Sequence, residues 1–166
     1  MIGLSLVLAA IVASSAHADT TDRVSRVVPL AEGTPIRVDA TIADVTIVGS
    51  NRPDVLVEIV RHAPTAADLS SYPVAIGPRD GALHITVLQT PVNGEPGRDA
   101  NLRTEITISA PATARFEAVR VFEGRVRLTN LKAAVDVDLR RGPVDAAGLA
   151  GRVRLESGIG SIDVLK

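Results

Sequence analysis

The sequence predicts an all-β protein. Its C-terminal third is expected to be a β-solenoid with coils of about 18 residues, preceded by a less regular, hairpin-containing N-terminal half. Three observations carry this. Apolar residues recur at a fixed step: Val119, Val137 and Leu155 are 18 apart, as are Val126, Val144 and Ile162. Glycine keeps the same step at Gly124, Gly142 and Gly160, and Leu131–Leu149 and Val135–Val153 follow it. Between these markers apolar and polar residues alternate, the signature of short strands joined by tight turns. A fixed short period means one structural unit stacked on copies of itself.

The N-terminus reads as a signal peptide over residues 1–18. Ile2 to Val12 is an apolar run, too short for a membrane span. Ala16-His17-Ala18 follows as an A-x-A cleavage pattern, leaving Asp19 as the first mature residue. No Lys or Arg precedes the run, so either the true start lies upstream or the N-terminal amine supplies the charge. Residues 19–33 are polar and mixed, and read as a lead-in segment. Residues 34–166 are expected to form a single β-solenoid domain.

Alternation begins at Ile36, Val38 and Ala40 and continues through Val45 and Ile47. Shifted by 81 residues, Val38, Ala40, Val45 and Ile47 fall on Val119, Val121, Val126 and Leu128, so this section is expected to be one more coil. Gly49 to Asp54 is a dense turn signal, after which Val55, Val57 and Ile59 resume the pattern. Residues 61–72 suit a loop with a short helical turn at Ala66–Leu69. Val74–Ile76 and Leu83–Val87 read as a hairpin in which Asp80-Gly81 supplies the positive-φ turn. Residues 91–101, rich in Pro and Gly, are expected to be the most mobile loop. Leu102–Ser109 is a strand with Thr104, Ile106 and Ile108 on one face, stopped by Ala110-Pro111 because proline lacks the amide a ladder needs.

These segments resemble the DUF4097-type putative adhesin family of bacterial envelope proteins. The residues that carry the resemblance are Ile42-Ala43-Asp44-Val45-Thr46-Ile47-Val48-Gly49, Thr107-Ile108-Ser109-Ala110-Pro111, and the coils around Glu123-Gly124-Arg125-Val126 and Glu156-Ser157-Gly158-Ile159-Gly160-Ser161-Ile162. The resemblance implies an exported β-solenoid with no established activity. It brings no catalytic residues with it.

Composition narrows the chemistry. A net charge of −1 and a pI near 6.3 imply neither a nucleic-acid footprint nor a polybasic membrane patch. Without cysteine there is no disulfide framework, thiolate metal site, cysteine nucleophile or lipid-modified N-terminal cysteine. Tyr72, Phe116 and Phe122 are the only aromatics, so stacking platforms for bases or sugars are nearly absent. Beyond the signal the histidines are His62, at a strand end, and His84, whose alternation with Leu83 and Ile85 points it to solvent. The chain holds no G-x-S-x-G, H-E-x-x-H or phosphate-binding glycine loop, and no cofactor is expected. Asp136-Val137-Asp138 opens like a calcium loop, but Ala147 stands where the bidentate acid belongs. Asp136 and Asp138 share a strand face at about 7 Å, within the range of a glycosidase pair.

Residues one period apart stack at about 4.8 Å. Arg120, Asp138 and Glu156 form one column, Arg127, Asp145 and Asp163 a second, and Asp136 and Arg154 a third. Opposite charges meet at Arg120–Asp138, Arg127–Asp145 and Asp136–Arg154, each worth about 0–1 kcal/mol when exposed. Like charges meet at Asp138–Glu156 and Asp145–Asp163, the weak candidates for a divalent cation bridging coils. The expected function is a non-enzymatic exported scaffold or adhesin-like binding module, periplasmic or extracellular. The alternatives are a carbohydrate-active β-helix enzyme and a sensory partner of an envelope-stress system. A bare final coil offers unpaired backbone and an open apolar end. The C-terminal coil, Ile162 to Lys166, is therefore expected to be covered by a protein partner or a second copy. Residues 61–72 or 91–101 folding over that end are the alternative.

Overall fold

A computed structural model describes residues 20–89 and 102–165. The signal-peptide reading, the whole 91–101 loop, Asp19 and Lys166 lie outside the described residues. The strands are β1 (Thr20–Pro29), β2 (Ile36–Ser50), β3 (Asp54–Ala63), β4 (Val74–Arg79), β5 (Ala82–Val87), β6 (Arg103–Pro111), β7 (Phe116–Thr129), β8 (Val135–Arg141), β9 (Val144–Ala147), β10 (Val153–Ile159) and β11 (Ile162–Leu165). One short helix, α1 (Ala66–Ser70), lies between β3 and β4.

The protein is all-β, and its strands belong to one open, mixed sheet. Two long strands, β2 and β7, each serve two ladders. The first half of β2 pairs in parallel with β5, and the second half with β6; along its other edge β2 pairs with β7. β7 then passes its first half to β8 and its second to β9, also in parallel. One ladder therefore runs β4-β5-β2-β7-β8-β10, and the other runs β1-β3-β6-β2-β7-β9-β11.

The registers are those read from the spacing. Val38, Ala40, Val45 and Ile47 pair with Val119, Val121, Val126 and Leu128. Val137 pairs with Val119 and Leu155 with Val137; Val144 pairs with Val126 and Ile162 with Val144. Side chains alternate across a strand, so each of these columns points one way, into a single hydrophobic cluster of Val, Ile, Leu and Ala around Phe116 and Tyr72. Val38, Val119, Val126, Val137 and Val144 are fully buried.

Where the two ladders meet, glycine is obligatory. Gly124 and Gly142 have φ of 145° and 132°, conformations that L side chains rarely adopt. A Cβ on Gly142 would lie 1.7 Å from the Gly124 carbonyl oxygen, and one on Gly124 would lie 1.9 Å from that of Ala43. The recurring glycine thus marks a corner at which successive strands nearly touch.

The hairpin of β4 and β5 has Arg79 opposite Ala82, with Asp80 (φ 49°) and Gly81 (φ 73°) as its two-residue turn. α1 begins with a capping box: the Asp68 amide donates to Thr65 Oγ1, and the Thr65 amide to the Asp68 carboxylate. Two features differ from the sequence reading. Most of the polar lead-in is a strand: β1 pairs with β3 along its whole length, tucking Val24 and Val28 against the cluster and leaving alternate polar residues outside. The 61–72 segment does not cover the C-terminal strands; α1 packs against β3. It is held by Arg61, which donates to the carbonyls of Leu69 (2.9 Å) and Tyr72 and pairs with Asp22 of β1.

Candidate functional site

The outward face of the parallel ladders carries charge in registered columns. Arg120 lies between Asp39 and Asp138, and Glu156 follows Asp138. Arg127 is followed by Asp145 and then Asp163. Arg127 Nε lies 3.5 Å from Asp145, Arg154 Nη1 lies 3.7 Å from Asp136, and Arg125 also reaches Asp145 at 3.7 Å. Arg141 donates to Glu123 at 3.0 Å, a pair on the same 18-residue step (141 minus 123) that the column reading passed over. Arg141 also lies over the exposed ring of Phe122, 5.9 Å from its centroid.

The ion pairs tune two groups. Glu117 accepts from Arg37 at 2.8 Å, and that hydrogen bond holds its carboxyl below the usual range. The hydrogen bond from Arg154 to Glu156, at 2.6 Å, raises the Arg154 guanidinium above its already high value. Both side chains are exposed, so these pairs add little to stability; Arg37–Glu117 links two strands, whereas Arg154–Glu156 lies within β10.

The weak cation candidates Asp138–Glu156 and Asp145–Asp163 are registered neighbours on adjacent strands. Among the described residues no group of three or more His, Asp or Glu is placed to hold a metal ion. His62 Nδ1 lies 2.9 Å from Thr21 Oγ1, its cross-strand neighbour, in a contact that could be found only once β1 was known to be a strand. His84 does not point to free solvent. It is half-buried on the outer side of β5, beside Arg37 and Gly77, and its Nε2 is buried without a hydrogen-bond partner among the described residues.

The two ends of the ladders differ in kind. At one end, β4 carries Pro78 and β1 ends in Pro29, each lacking an amide. Arg26 of β1 bridges to β4, donating to the Ile76 carbonyl at 2.7 Å. Among the described residues, β10 and β11 are the other end. Val153 is 37% exposed, Ile162 42% and Val164 56%, whereas their partners one strand back, Val135, Val144 and Ala146, are 3%, 0% and 4% exposed. Among the described residues, these are core columns whose last member is left exposed.

No family model and no curated protein matches the chain. Solved structures do. A putative cell adhesion protein from Clostridium sporogenes is similar at a TM-score of 0.50 and 10% identity, over 88% of this chain and 99% of that one. A putative adhesin from Parabacteroides distasonis is similar at a TM-score of 0.44 and 18% identity, over 87% of this chain and 66% of that one. The likeness is one of fold. Among the described residues no helix is long and apolar enough to cross a membrane.

Proposed function

We propose that the chain is a non-enzymatic, exported protein of the bacterial envelope, of the DUF4097-type adhesin kind, working as a scaffold or binding module in the periplasm or at the cell surface. In this reading the parallel ladders are the walls of a β-solenoid with 18-residue coils, and the blocked β1/β4 end is its closed cap. The observation that carries the reading is the contrast between the two ends. Among the described residues, prolines and a bridging arginine lie on one edge and apolar core columns are exposed at the other. Stacked arrays need their apolar ends capped, and an exposed apolar end marks a surface for another molecule. The name carried by the Clostridium sporogenes protein points the same way. Export rests on the apolar run and the Ala16-His17-Ala18 pattern.

A photo-crosslinking residue in place of Leu165, and separately in place of Val27, tests this in living cells. Both positions are exposed, one at each end. Capture of a protein from the Leu165 position and not from Val27 is the expected result. Equal capture, or none from Leu165, would remove the observation on which the reading stands. Release of sugar ends from a polysaccharide panel by the purified chain would replace it with the carbohydrate-active alternative.

A further inference from the structure

We infer that the molecule received at the open edge is a second copy of this chain, joined β10 to β10 in antiparallel fashion about a two-fold axis through Leu155. The inference rests on the open-edge reading above and names its partner. The Val135 amide donates to the Arg152 carbonyl at 2.9 Å, so in the parallel ladder Arg152, Arg154 and Glu156 turn their polar backbone groups toward β8. The alternate residues Val153, Leu155 and Ser157 turn theirs to the open edge.

An antiparallel copy can bond only where edge-facing residues meet edge-facing residues. Centring on Val153 sets Arg152 against Arg154. Centring on Ser157 needs the Ile159 carbonyl, which the Gly142 amide already holds at 2.8 Å. This leaves two-fold registers centred on Arg154, Leu155 or Glu156. Centring on Arg154 sets Arg154 against itself, and centring on Glu156 sets Glu156 against itself; like charges directly opposite are destabilising. Centring on Leu155 places Arg154 opposite the partner's Glu156 and Glu156 opposite the partner's Arg154. These are non-hydrogen-bonded positions, where side chains approach most closely. Leu155 then exchanges both backbone hydrogen bonds with its own copy, and Val153 does so with Ser157. The axis keeps inward faces on the same side, so the half-buried Leu155 and exposed Val153 gain apolar neighbours. A two-fold contact of this kind closes on itself and does not propagate into fibres.

The mature chain is examined by light scattering and sedimentation across a concentration series. A monomer–dimer equilibrium is expected. R154E or E156R alone should weaken the dimer roughly tenfold or more by setting like charges opposite each other twice, and R154E/E156R together should restore it. An unchanged thermal melt in each variant shows that folding is not the cause. The chain has no cysteine, which permits a register test. In the inferred pairing the two Leu155 Cα atoms lie about 5.5 Å apart, within disulfide range. The two Glu156 positions are diagonal and out of range. L155C should therefore oxidise to a covalent dimer and E156C should not. A monomer at every concentration, a dimer indifferent to both charge reversals, or faster crosslinking of E156C would overturn the pairing. If the chain is monomeric but the Leu165 probe still captures another envelope protein, only this pairing fails; with neither dimer nor capture, the functional reading fails too.

Discussion

Single residues show how far alternation reaches. Val137, in a column with Val119 and Leu155, is fully buried; Arg140, three positions on and on the opposite face, is exposed. Val137→Asp buries a charge without a partner and should cost several kcal/mol, whereas Arg140→Ala should change stability by less than about 0.5 kcal/mol. Chemical denaturation of both checks the register; matching curves would contradict it. His84 was misplaced for a physical reason. Alternation reports which face of a strand a residue occupies, not how much its neighbours cover that face. Glu117 supplies a pH signature. Its carboxyl titrates below its unfolded value because of Arg37. Its contribution is therefore present above the unfolded carboxylate range and lost as pH falls through the folded value. Glu117→Gln should lower stability slightly at neutral pH and leave it unchanged in acid below both values. A loss equal at both pH values would point to packing instead.

At the scale of elements, legibility followed the strength of local chemistry. The β4–β5 turn was visible because Asp-Gly is nearly a specification for a two-residue hairpin. α1 was visible as a short turn, although its Thr65–Asp68 box is a sharper signal than its alanines. β1 was not visible. It is an edge strand that presses only Val24 and Val28 against the core, and Asp22, Arg23, Ser25 and Arg26 mask so thin a pattern. Nor could any local pattern show that Arg61, at the end of β3, ties β1 to the segment carrying α1. Arg61→Ala leaves the carbonyls of Leu69 and Tyr72 without this donor and should cost about 1–3 kcal/mol. Hydrogen exchange should accelerate first over residues 65–72 and in β1. Uniform acceleration across the sheet would mean that Arg61 supports the core as a whole.

The whole molecule was legible where it repeats and obscure where it does not. The 81-residue step between β2 and β7 was readable because both strands fill the same columns; the insertion of β3 to β6 between them carries no periodic marker. The compartment stays with the leader pattern: N-terminal sequencing of the exported protein should begin at Asp19, and a chain that keeps Met1 and partitions with membranes would show an anchor instead. The stacked corner at Gly124 and Gly142 also gives this chain a unit of growth. Each rung from β7 onward repeats the same turn at the same spacing, so length can be added in whole rungs. Duplicating residues 133–150, one period, should yield a protein that still melts cooperatively and is longer by about 4.8 Å, one strand spacing, in small-angle scattering. The same duplication with one residue more should turn every later strand inside out and fail to fold. A molecule with such a unit can be made taller or shorter without redesign of either end, and its length becomes a matter of counting.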